Sequence, residues 1–216
     1  MKIQILISKS SWINNNFKKK IVSNLRSFSN KIYFTNNHIF LKKKYDLNII
    51  LSYFKLIPIK YLKRSKYNIL VHESNLPKGR GMSPISWQIL NNKNVIVFSL
   101  IEADKSFDRG RIYFQKKVGI KKDMLFNEIK NIQFNVSIKL INKFIKYYKK
   151  NKKPPRNFKQ VGKPTYYKTR SPMDSKLNIN KSLKSQFNLL RIVDNKNHPA
   201  FFKIYNKIYF LKIIKK

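Results

Sequence analysis

His72 stands directly before a stretch broken by glycine and proline, Asn75-Leu-Pro-Lys-Gly-Arg-Gly-Met-Ser-Pro84. Asp108 comes one helix and one strand later, within Asp104-Lys-Ser-Phe-Asp-Arg-Gly110. A histidine oriented by a carboxylate is a general base poised near neutral pH. Such a pair can take a proton from an amine as the amine attacks a carbonyl, and the imidazolium then stabilises the developing oxyanion. Glu73, Glu102, Asp104 and Asp108 are four of only nine acidic residues, all between residues 73 and 108. In so basic a chain, that concentration asks for a chemical explanation.

The elements that must position these groups follow from hydrophobic pattern. Lys2–Ser8, Lys31–Thr35, Leu47–Tyr53 and Asn68–His72 read as strands, and Leu47–Tyr53 suits burial on both faces. Phe17, Ile21 and Leu25 recur at a spacing of four, which predicts a helix across Trp12–Phe28. Pro58 sits in the first turn of a short helix. Ser83 as N-cap and Pro84 in the first turn predict another, through Leu90. Asn94–Glu102 and Arg111–Val118 are further strands, and Asp123–Lys150 is a long helix with an acidic start and a lysine-rich end. Strand alternating with helix points to an α/β fold around a mostly parallel sheet. In a doubly wound sheet, ligands bind beyond the carboxyl ends of the strands, where His72 lies.

Composition changes at Asn151. Residues 151–177 carry Pro154, Pro155, Pro164 and Pro172 without periodicity, which reads as a linker or arm. Residues 178–216 form a small module, with a helix expected over Ser182–Val193 and a hairpin over Ala200–Ile214. Residues 1–150 are then the catalytic domain.

The 216 residues suffice for one sizeable core, and 14% aromatic content excludes a disordered basic tail. The absence of cysteine excludes disulfides, thiolate metal sites and a cysteine nucleophile, and nothing points to a metal. No apolar run reaches the ~20 residues of a membrane span, and the N-terminus does not read as a signal peptide, so a cytoplasmic location is expected. The formal charge of +39 alone points to nucleic acid or another polyanion. Lysines spread along the whole chain beside abundant Asn and Ile favour compositional drift over a dedicated surface. Either origin favours anionic ligands.

The segment His72-Glu-Ser-Asn-Leu-Pro-Lys-Gly-Arg-Gly-Met-Ser-Pro84 resembles the His-x-Ser-x-Leu-Pro-x-x-x-Gly-x-x-Pro segment of 10-formyltetrahydrofolate-dependent formyltransferases. Phe107-Asp-Arg-Gly-Arg-Ile112 resembles the later Asp-x-Gly segment of that family, and Asp46–Pro58 its pterin-holding strand and loop. The resemblance implies a Rossmann-like formyltransferase fold, with His72 as catalytic histidine and Asp108 as its partner. It implies that Phe54, Leu56, Ile57, Pro58 and Ser106 bind 10-formyltetrahydrofolate as formyl donor, and that Asn75, Lys78 and Arg80 face the acceptor. The family carries a catalytic Asn two residues before the His, where this chain has Leu70. Asn68 projects to the same strand face and is taken as the third catalytic residue, with Asn75 as a second possible substitute.

Towards the end, Lys168–Leu177, Gln186–Asp194 and Pro199-Ala-Phe-Phe resemble the tail of formyltransferases acting on nucleotide-linked amino sugars, with Arg170, Asp174 and Arg191 as parts of that module. The chain is expected to be too short for the full RNA-binding domain of methionyl-tRNA formyltransferases. An amino sugar of surface-polysaccharide synthesis is therefore the expected acceptor. Methionyl-tRNA is the alternative, with a non-catalytic nucleic-acid-binding protein or an inactive homologue beyond it. A homodimer is left open.

Overall fold

The computed structural model describes residues 1–13 and 15–216. A six-stranded sheet runs in the order β2-β1-β3-β4-β6-β7. Its strands are β1 (Lys2–Ile7), β2 (Lys31–Thr35), β3 (Tyr45–Leu51), β4 (Ser65–His72), β6 (Val95–Glu102) and β7 (Ile112–Gly119). The first four are mutually parallel. β6 is antiparallel to β4, and β7 to β6.

Alternation along the strands divides the core. Ile3, Ile5, Leu47, Ile49, Leu51, Ile69 and Val71 face the larger cluster, formed with α1 (Asn15–Arg26), α3 (Pro84–Leu90) and α4 (Phe126–Asn151). Leu6, Ile50 and Leu70 face the opposite side, packed with Ile57 and with Leu62 of α2 (Ile59–Leu62). His72 follows the second set and Glu73 the first, because side chains alternate with period two.

The expected α1 is present with Ile21 and Leu25 buried, but Trp12 lies before it, in the loop leaving β1. Ser83 precedes α3 without capping it: its backbone is left-handed (φ 53°) and its side chain makes no cap bond. The helix expected over Ser182–Val193 contracts to α5 (Phe187–Leu190), with turns on both sides. The hairpin is β9 (Ala200–Ile204) and β10 (Lys207–Leu211), whose module packs on Leu177, Leu190, Val193 and Ala200. Arg191 is fully buried and ties this module to α4's approach by donating to the carbonyl oxygens of Met124 (3.0 Å) and Lys121.

Residues 151–177 run back past the β7 edge of the sheet to the loop that follows β4. Phe158 forms a bridge with Ile112, and β8 (Tyr166–Tyr167) pairs in parallel with β5 (Arg80–Gly81). No helix among the described residues is long and apolar enough to cross a membrane.

Candidate active site

His72 ends β4 and is buried. Its Nδ1 lies 3.4 Å from Asp108 Oδ1, and its Nε2 lies 2.8 Å from the carbonyl oxygen of Gly79. The latter contact requires a hydrogen on Nε2 and leaves Nδ1 as the ring nitrogen that faces the carboxylate. Asp108 Oδ2 accepts from the Gly81 backbone N–H at 2.9 Å, which fixes the carboxylate against the same loop.

Bringing Asp108 here takes a detour. Because β6 is antiparallel to β4, Glu102 ends level with Ile69, and the Ala103 N–H donates to the Asn68 carbonyl at 2.7 Å. The chain must then travel back along β4 to reach His72, crossing the Leu70 face. Asp108 itself is left-handed (φ 54°), a conformation Asp tolerates better than most residues. Two glycines keep the loops close. A Cβ on Gly110 would overlap the Glu102 carbonyl oxygen, and one on Gly81 the Tyr167 carbonyl oxygen.

A cavity of about 250 Å³ surrounds the pair and wraps over the end of β4. One flank is apolar, with Ile50, Leu56, Ile57, Leu70, Ile101 and Ala103. The other contains Trp12, Ile13, Glu73, Lys130, Gln133 and Phe134. All four acidic residues concentrated between 73 and 108 line this cavity. Glu102 is held by Tyr113 Oη (2.5 Å) and the Asn68 N–H (2.8 Å), yet burial raises its pKa above the usual carboxylate range.

Phe54, Leu56, Ile57 and Ser106 line the cavity, while Pro58 lies just outside it as the residue before α2. Asn68 does not reach the site. It shares the face of His72 but lies one repeat deeper than Leu70, and its amide donates to the Leu62 carbonyl (3.0 Å) and accepts from Asn48 (3.1 Å). Asn75 is exposed and turned toward Gln115, and Lys78 is exposed outside the cavity. Arg80 is buried, but its guanidinium is taken up by Gln160 (2.7 Å and 3.2 Å) and Tyr166 (3.3 Å). Leu70 packs against Leu76, Ile101 and Ile112. None of Asn68, Asn75, Lys78 and Arg80 faces His72 through the cavity.

Several residues at the site carry no sequence signal. Gln160 donates to the Asp108 and Gly110 carbonyls (2.7 Å and 2.9 Å) while accepting from Arg80, so one side chain joins the histidine loop to the aspartate loop. Thr165 accepts from the Gly79 N–H through Oγ1 (2.8 Å). Trp12, from the loop before α1, and Lys130 and Gln133, from α4, also form cavity wall.

The fold and this cavity define an α/β protein with a histidine–aspartate pair at the end of a central strand. Residues 7–137 match the family model described as "Formyl transferase", and the chain belongs to that family. It is 31% identical over 157 residues to a methionyl-tRNA formyltransferase of Thermodesulfovibrio yellowstonii, covering 70% of this chain and 50% of the relative. It is 26% identical over 178 residues to a GDP-perosamine N-formyltransferase of Brucella melitensis biotype 1, covering 78% and 65%. Its fold matches that of a methionyl-tRNA formyltransferase from Clostridium thermocellum with TM-score 0.77 at 21% identity, covering 100% and 94% of the two chains. The chain spans about half the length of the first of these curated relatives.

Proposed function

We propose that this protein transfers a formyl group from 10-formyltetrahydrofolate to a primary amine. The observation that carries this reading is the pairing of buried His72 with half-buried Asp108 at the centre of a two-flanked cavity inside the family-matched region. The apolar flank of Ile57, Leu70, Ile101 and Ala103 suits a flat pterin, which a donor of this class must bury close to the histidine. The donor supplies an activated formyl carbon bonded to N10.

The transfer forms an amine–carbon bond and breaks the carbon–N10 bond, moving one proton from the attacking to the leaving nitrogen. In this reading His72 carries that proton, and its charged form stabilises the oxyanion. Asp108, anchored by Gly81, orients the ring and balances its charge.

For the acceptor, the reading favoured is a nucleotide-linked amino sugar. It rests on the match to the GDP-perosamine enzyme, which extends over 178 residues, and on the compact tail module around Leu177 and Ala200. Methionyl-tRNA is the second reading, favoured by the 31% identity to an enzyme of that name and by the charge of +39. Tetrahydrofolate release is measured with GDP-perosamine and with methionyl-tRNA, in wild type and His72→Ala. Release with the sugar alone, lost in the variant, is the expected result. Release with neither acceptor, or release untouched by the substitution, overturns the reading.

A further inference from the structure

We propose that Glu73 receives the acceptor's ammonium group and takes its first proton, making the flank of Trp12, Glu73, Lys130 and Gln133 the amine-binding compartment. This inference rests on the formyl-transfer reading and names a residue for it. Two substrates must converge on His72, and the cavity reaches it from two sides. The apolar flank fits the donor, which leaves the other flank to the acceptor.

That flank has a built polar centre. Glu73 is buried beside His72, on the opposite face of the strand's end. Gln133 Nε2 donates to Glu73 Oε1 at 2.7 Å, while Gln133 Oε1 accepts from Lys130 Nζ at 2.9 Å. The glutamine therefore stands between the carboxylate and the ammonium and keeps them from pairing directly. Among the described residues, Glu73 Oε2 has no hydrogen-bond partner, so the carboxylate retains acceptor capacity toward the cavity. Lys130 lies over the Trp12 ring, 4.8 Å from its centroid, and both residues also line the adjoining outer cavity near Lys20 and Lys196.

The electrostatics discriminate one end of a ligand from the other. In a chain of charge +39, a nucleotide- or tRNA-borne amine finds favourable surroundings for its phosphates almost everywhere. Its cationic nitrogen has few places to go, and Glu73 is one that adjoins His72. A carboxylate there draws the nitrogen inward while Lys130 favours leaving the anionic remainder toward the outer cavity. The proton balance also closes. The ammonium gives one proton to Glu73 and attacks with the freed lone pair; the second proton passes through His72 to N10 of the leaving tetrahydrofolate. The products are the formamide, tetrahydrofolate and one proton released from Glu73.

Titration calorimetry on the full chain tests this with phosphoethanolamine, which carries both charges, and ethyl phosphate, which lacks the amine. The expected result is that Glu73→Gln weakens phosphoethanolamine about tenfold and leaves ethyl phosphate unchanged. Glu73→Asp recovers part of the loss. Binding of 5-formyltetrahydrofolate stays at the wild-type level in both variants, which shows an intact donor flank. Equal phosphoethanolamine affinity in wild type and Glu73→Gln overturns the assignment, as does a wild type that prefers phosphoethanolamine no more than ethyl phosphate. Failure of formyl transfer itself shows separately, as absent tetrahydrofolate release from wild type.

Discussion

Gln160 holds Asp108 in place from 52 residues downstream, its amide nitrogen 2.7 Å from the aspartate's carbonyl oxygen. The same nitrogen reaches the Gly110 carbonyl, and the amide oxygen takes two N–H groups of Arg80. One uncharged side chain thus satisfies both loops that frame His72.

Gln160→Ala is expected to destabilise the fold by about 2–4 kcal/mol, since it leaves part-buried carbonyls unpaired and removes two of the three hydrogen bonds of the Arg80 guanidinium. Gln160→Glu is expected to keep Arg80 but to turn a carboxylate oxygen toward two carbonyl oxygens. Its turnover should therefore fall while much of the stability remains. Denaturant melts beside steady-state kinetics separate the two effects. Equal stability of wild type and Gln160→Ala would remove the proposed bracing role.

Asp108→Asn preserves an oxygen for the Gly81 N–H and deletes the countercharge of His72. The expected outcome is a drop in kcat/KM of about 10²–10⁴ with an unchanged melting temperature within a few degrees. Turnover within a factor of two of wild type would show that the pair is structural.

Leu70→Asn places an amide where the family resemblance implies one. An added oxyanion donor is worth up to about 10²–10³ in rate, so kcat should rise. Leu70 packs against Leu76, Ile101 and Ile112, so the variant should also lose about 1–3 kcal/mol of stability. A rate that falls in proportion to the folded fraction would mean that this chain stabilises the oxyanion by other groups.

Lys130 gives a pH signature. Burial pushes its ammonium from the ordinary 10.5 down to about 8, against the opposing pull of Glu73 and Asp194. Between those values the unfolded chain binds more protons than the folded one, so stability rises with pH across the window. Tyr113, raised by burial and then by Glu102, acts with the opposite sign above about pH 10, where the unfolded tyrosine ionises first. Melts between about pH 8 and 9.5 should show a gain on the order of 1–3 kcal/mol from this group, absent in Lys130→Met. A flat profile in wild type would mean that Lys130 is solvated.

Much of this arrangement is legible in the residues. Period-two alternation places Leu70 and His72 on one face and Val71 on the other, and the spacing of Ile21 and Leu25 marks α1. The scarcity of carboxylates points at Glu73, Glu102, Asp104 and Asp108, which line one cavity. Alternation gives a face but not a depth, which is why Asn68 looks like a substitute for Leu70 while its amide is bonded beneath α2. Strand direction is equally hidden: nothing local to Asn94–Glu102 reveals that β6 runs antiparallel and that Asp108 must return along β4. The stretch 151–177 shows no period because its polar groups bond to distant loops, leaving Gln160 and Thr165 without a signal. Arg80 reads as a ligand group for the same reason, its partners being in that stretch.

The pairing of Tyr166–Tyr167 with Arg80–Gly81 has a consequence for the order of events on the ribosome. The six-stranded sheet and α4 are complete once residue 151 has emerged, so a nascent chain of that length holds a nearly full core. At that moment the loops bearing Gly79 and Asp108 have neither Thr165 nor Gln160 to bind them. Competence therefore arrives later than compactness, when the returning strand closes over an already folded body.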